Sequence, residues 1–143
     1  MTMNESASPF GEASQPKDFA ALTSGRDLGA LRVTVSPAAN RRYFEAAGVT
    51  HPSLEAGALY PPIATNLTIL LLQTACTTAV LHTRQRLSCH DRAAAGTPLV
   101  VTGAVSKTYR KRNREYIEVD ATIADESGRL IWTSVATFTP VAP

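Results

Sequence analysis

Hydrophobic positions fall along this chain in two rhythms, and the changes between them mark out its elements. From Tyr60 to Val80 the chain is apolar nearly all round, and Ile69 to Leu72 has no polar face. That pattern predicts one long helix buried on several sides. Pro61-Pro62 suits its start, because the first N–H groups of a helix lack intrahelical partners and proline's φ is already near the helical value. Thr, Asn and Gln interrupt the run, so it is expected to fill a core and not to span a membrane. Cys76 falls mid-helix in this reading, as a buried reduced thiol.

The flanking segments alternate. Leu31, Val33 and Val35 against Arg32 and Thr34 predict a half-buried strand over Leu28 to Val35. Ser36 then caps a helix with Pro37 at its first position, an apolar side of Tyr43, Phe44, Ala46 and Ala47, and Gly48 as its stop. Val49 to Leu59 is a connecting loop. After the long helix, Leu81 to Ser88 is a strand with Thr83, Gln85 and Leu87 on one face and His82, Arg84 and Arg86 on the other. Leu99 to Val105, Tyr116 to Ala124 and Leu130 to Thr139 complete a meander, with Trp132 and Phe138 on one face of the last strand. Asp125 to Arg129 is a hairpin turn built on Gly128. Pro140 is expected to stop further pairing. Residues 1–25 have no period and are expected to form a flexible N-terminal arm, with a short packed turn near Phe19 to Leu22. Residues 26–143 form one domain. The order predicts an α+β fold, an antiparallel sheet wrapped around one long central helix.

Composition narrows the class. With 143 residues, 44% hydrophobic and 18% charged, the chain is long and apolar enough for a single buried core. A net charge of +2 is too mild to imply nucleic acid. No basic segment precedes an apolar one at the N-terminus, so the expected location is cytoplasmic and reducing. There is no Gly-rich phosphate loop, Cys-x-x-Cys, His-Glu-x-x-His or Gly-x-Ser-x-Gly, so no metal and no cofactor is implied.

Two places carry candidate chemistry. In the loop before the long helix, His51 is the best general base, since its ordinary pKa suits proton transfer near neutrality. Glu55 would orient it or act as the acid, and Tyr60 and Asn66 border the same place. The second is Lys107 to Arg114, with five cations in eight residues at a predicted hairpin. It reads either as a solvated turn that discourages edge pairing or as a phosphate dock centred on Arg110, Lys111 and Arg112. A nucleic-acid site would need interleaved aromatics, and only Tyr109 qualifies. His82 and His90 read as surface residues.

Three passages, in order, resemble the MaoC-like branch of the hotdog fold, the hydratases and dehydratases of acyl thioesters. They are Tyr43 to Pro52, Leu59 to Thr65, and Arg84 to Val101 followed by Tyr116 to Asp120 and Asp125 to Gly128. The resemblance covers Leu28 to the end. It implies a dimer that holds a pantetheine-linked acyl chain, an Asp and a His that manage the water added or removed, and a backbone donor at the helix start that polarises the thioester. Here the family's Asp position is Val49, its His position is Leu54, and its helix-start Gly is Pro62, which has no N–H. Ile63 is then the next backbone donor.

The expected function is therefore action on an acyl-CoA or acyl-carrier-protein thioester. One form is a hydratase or dehydratase-type lyase, or an offshoot, with a rebuilt site at His51 and Glu55. The alternative is the non-catalytic, substrate-binding subunit of a split dehydratase, and a thioesterase using Glu55 ranks lowest. The partner is a second copy or a catalytic hotdog subunit.

Overall fold

The computed structural model describes residues 5–9 and 16–142. Its strands are β1 (Glu5–Pro9), β2 (Asp27–Val35), β3 (Val80–Cys89), β4 (Pro98–Lys111), β5 (Arg114–Asp125) and β6 (Leu130–Pro140). Its helices are α1 (Pro37–Ala46), α2 (Pro52–Glu55) and α3 (Ile63–Ala75). The six strands form one antiparallel sheet in the order β1-β2-β4-β5-β6-β3. The sheet curls around α3, which is the hotdog arrangement expected from the order of elements.

The core lies between α3 and the sheet. Ile63, Leu67 and Leu71 of the helix meet Val33, Val101, Ile123 and Phe138, all without measurable exposure. Gly103 of β4 permits the closest approach. A Cβ there would lie 2.8 Å from the Asp120 carbonyl oxygen and 2.9 Å from Leu71 Cδ2. Side chains of β6 that face the helix include Ser134, whose Oγ is 2.9 Å from Thr68 Oγ1. Thr68 also bonds the Ala64 carbonyl at 2.9 Å, and Gln85 Nε2 of β3 donates to Ser134 at 2.7 Å. A hydroxyl offers one proton and two lone pairs, so this chain of groups from edge strand to helix is satisfied throughout.

Several expectations need correction. The helix stops at Ala75; Cys76 is extended, at φ −130° and ψ 127°, and is therefore not mid-helix. The reason lies far off in sequence. Lys17 N–H donates to the Ala75 carbonyl at 3.0 Å, and Thr77 N–H donates to the Lys17 carbonyl at 2.8 Å. The segment near Lys17 thus satisfies a helix-end carbonyl that has no partner within the helix. Cys76 is nonetheless buried and unpaired with Cys89, which is exposed.

The stretch expected to be a flexible arm contains more structure than its composition suggests. Residues 1–4 and 10–15 lie outside the described residues, but Glu5–Pro9 pairs with β2. Phe19 and Leu22 are buried in the core, around the short turn expected there. In α1 the buried positions are Ala39, Asn40 and Phe44, while Ala46 and Ala47 are exposed. Pro140 does not stop pairing, since it still faces Val80. In β3 a register shift between His82 and Arg84 breaks the alternation. His82 consequently turns to the helix side, with its ring 5.2 Å from that of Phe138, and does not share a face with Arg84 and Arg86.

Candidate functional site

The start of α3 opens into an apolar cavity of about 350 Å³, within the range of small-molecule sites. One wall is Phe44 of α1 with Val49 and His51 from the loop and Ser53 of α2. Tyr60 and Pro61 form the floor at the helix start, and Cys89, Asp91, Arg92 and Trp132 close the sheet side. Phe44 and Tyr60 pack with ring centroids 4.8 Å apart and planes tilted by 43°.

Asn40 holds this arrangement, and the sequence reading passed over it. It is 2% exposed. Its Nδ2 donates to the Ala58 carbonyl at 2.8 Å, and its Oδ1 accepts the Tyr60 N–H at 2.9 Å. One amide therefore grips both ends of the segment that leads into α3. Leu59 N–H donating to the Ala93 carbonyl at 2.9 Å ties the same segment to the loop after β3.

The expected site residues divide. His51 and Tyr60 line the cavity; Glu55, Ile63 and Asn66 do not. Glu55 is exposed at the end of α2. Asn66 Nδ2 donates to the Tyr43 hydroxyl at 3.0 Å, joining α3 to α1. Ile63 is fully buried, and its N–H donates to the Tyr60 carbonyl at 3.0 Å. Ala64 and Thr65 N–H groups donate likewise to the Pro61 and Pro62 carbonyls at 3.0 and 3.1 Å. The helix start thus spends these donors on its own tight first turn, and Ile63 does not offer the spare donor expected of it.

The histidine and the carboxylate at the cavity are both committed to other partners. His51 caps α2, its Nδ1 accepting the Ser53 N–H at 3.1 Å. In a neutral ring that bond puts the proton on Nε2, leaving a donor where a base would need a lone pair. Asp91 pairs with Arg129 Nη1 at 2.6 Å, and that bond holds its carboxyl below the usual range, making it a weak base.

Arg129 bridges onward to Asp125, which organises the β5–β6 turn. Asp125 Oδ1 accepts from Ser127 Oγ at 2.6 Å and from the Ser127 and Arg129 N–H groups at 3.0 Å each. The Ser127 hydroxyl chiefly, then the Arg129 amide and side chain, lower its pKa from 3.8 to about 2. A carboxyl depressed in the folded state contributes stability above its unfolded pKa and loses it as pH falls through the folded one. Asp125→Asn is expected to flatten the decline in melting temperature between pH 4 and pH 2, read by circular dichroism. An unchanged acid slope would remove Asp125 from that role.

The basic hairpin lies elsewhere. Arg112 and Asn113 form its two-residue tip, at φ 50° and 63°. Trp132 at the cavity is level with Ile123 and Val101, so the tip is roughly 35 Å away along the strands at about 3.4 Å per residue. Arg110 instead lines a second cavity of about 320 Å³, between the Phe19 turn and the stacked rings of Tyr109 and Tyr116. Among the described residues no helix is long and apolar enough to cross a membrane.

Solved structures share this architecture. The HadBC 3R-hydroxyacyl-ACP dehydratase complex of Mycobacterium tuberculosis matches at a TM-score of 0.68 and 11% identity, over 97% of this chain and 98% of that one. R-hydratase PhaJ1 of Pseudomonas aeruginosa matches at 0.71 and 12%, over 86% and 84%. A MaoC-like dehydratase of Rhodospirillum rubrum matches at 0.66 and 19%, over 87% and 96%. At these identities the likeness shows a hotdog fold. No protein-family model matches the chain, and no curated protein matches it in sequence.

Proposed function

We propose that this chain is the substrate-binding half of a two-subunit assembly acting on acyl thioesters, with the acid–base groups supplied by the other half. The observation that carries this is the helix start. An apolar cavity sits where the thioester is expected, yet the N–H groups of Ile63, Ala64 and Thr65 are bonded within the turn, and His51 and Asp91 are committed to other partners. Such a cavity can hold an acyl chain and shape it, while proton transfer to or from carbon needs a base and an oxyanion donor that converge. The HadBC dehydratase, which shares the fold, is itself a complex.

The basic hairpin fits the same reading. Val80 of β3 pairs with Pro140, and Arg114 Nη2 donates to the Pro140 carbonyl at 2.8 Å, so the Val80 end of the edge strand is the hairpin end of the sheet. Cys89, at the other end of β3, is at the cavity. An antiparallel neighbour on β3 would bring its own cavity end beside this chain's hairpin. Arg110, Lys111 and Arg112 would then meet the phosphates of a ligand held mainly by the partner.

The test is binding and turnover with enoyl- and 3-hydroxyacyl-CoA, on the purified chain. Binding without turnover is expected, and Val49→Trp, which fills the cavity, should weaken it at least tenfold, about 1.4 kcal/mol. Turnover by the lone chain that His51→Ala abolishes would instead establish a rebuilt hydratase site. No binding at all would overturn the thioester reading.

A further inference from the structure

The outer edge of β3 is open and carries charge of one sign. Among the described residues β3 pairs only with β6, so its outer edge there presents ten residues of unpaired backbone, Val80 to Cys89. A long open edge is a template for another strand. This one has no proline, and it keeps Leu81 45% exposed and Leu87 half-buried beside it. Its charges are of one sign. Arg84 and Arg86 are exposed on the same face, and no Asp or Glu occurs between Val80 and Cys89.

That charge pattern works against a second copy. In an antiparallel pair, directly opposite residues share a face, and like charges placed opposite each other destabilise it. A copy centred on Arg84 sets Arg84 against Arg84. Centred on Gln85, it sets Arg84 against Arg86 twice. Centred on Arg86, it sets Arg86 against Arg86. The first two registers pair the greatest length of strand that keeps matching faces together, and both place arginine on arginine. The hydrogen bonds of Gln85 and the bulge at Thr83 fix which face the arginines occupy, so sliding by one residue brings no relief.

We infer that β3 docks the edge strand of a different polypeptide, one carrying carboxylates at alternate positions opposite Arg84 and Arg86. This rests on the two-subunit reading above and names the chemistry of the second subunit's edge. The Arg pair then does two things at once: it disfavours self-pairing and sets the register with the partner.

An acidic-edged copy of this chain serves as the probe. Full-length wild type, R84E/R86E and their equimolar mixture are compared by sedimentation at low salt. The mixture is expected to pair one to one at least tenfold more tightly than either protein pairs with itself, and the difference should shrink in 0.5 M salt, where about 4–5 Å of screening length remains. R41E/R42E, which makes the same charge change on the exposed side of α1, should show no such gain. Should R84E/R86E fail to fold, R84Q/R86Q still decides, because its self-association should exceed that of wild type. A wild-type homodimer that R84Q/R86Q leaves unchanged or weakens would overturn the inference, as would a mixture that associates no better than its parts. Acyl-CoA binding measured on the same samples separates the two readings. A tight homodimer that binds thioester sinks the acidic-edge partner alone, and a selective mixed pair that never binds thioester sinks the function alone.

Discussion

Asn40→Ala is expected to lower unfolding free energy by about 3 kcal/mol, since it strands two groups at once. The Tyr60 N–H loses its acceptor and the Ala58 carbonyl loses its donor, each now bonded to one buried amide. A buried polar group left without a partner costs about 1–3 kcal/mol. The loss is local as well as global. The freed segment is the floor of the cavity, so thioester binding should weaken by more than the change in folded fraction explains. Urea unfolding and calorimetric binding on the same preparation measure both. Asn40→Asp sharpens the test: it keeps an acceptor for Tyr60 but turns an oxygen toward the Ala58 carbonyl, so it should not rescue stability. A midpoint within error of wild type for Asn40→Ala would show that the segment is held by Leu59 and Ala93 instead.

Gly103→Val should be comparably damaging, for a reason of volume and not of hydrogen bonding. Its first added carbon already falls 2.8 Å from a backbone oxygen and 2.9 Å from Leu71, and that oxygen belongs to β5, which is paired on both sides by β4 and β6. Overpacking of this kind costs about 1–3 kcal/mol, and the two γ-carbons put valine at the upper end, a fall of roughly 10 °C in Tm. Gly103→Ala should fall between. If Leu71→Ala restores much of the loss in Gly103→Val, the clash is with the helix; if it restores nothing, the Asp120 carbonyl is the wall.

These two residues also mark the boundary of what the sequence discloses. The strands and the place of the long helix follow from period and caps, because alternation and apolar runs are local signals. Asn40 carries no such signal. It sits beside Arg41 and Arg42 on a helix whose apolar side, by spacing, is Tyr43, Phe44, Ala46 and Ala47, and only the fold shows the segment Ala58 to Tyr60 lying across it. The end of α3 was hidden for the same reason. Ala75 finds its partner at Lys17, on a segment whose composition reads as unstructured. His82 was placed on the wrong face by a bulge, which alternation cannot foresee. His51 and Tyr60 line the cavity, Ile63 and Asn66 bond within or beside the helix start, and Asp91, from the loop after β3, and Trp132, from β6, reach the cavity from farther along the chain.

The sheet order has a consequence for how the chain reaches this state. β4, β5 and β6 form a meander of neighbours, but β3 must wait for β6, with Val80 finding Pro140 across the whole meander. Pairings of such sequence separation close late and slowly. For that interval β3 is unpaired on both sides, and a cell holds many copies in the same condition. If the arginines set the partner as inferred above, the same like charge would also disfavour pairing between two nascent β3 edges before β6 arrives.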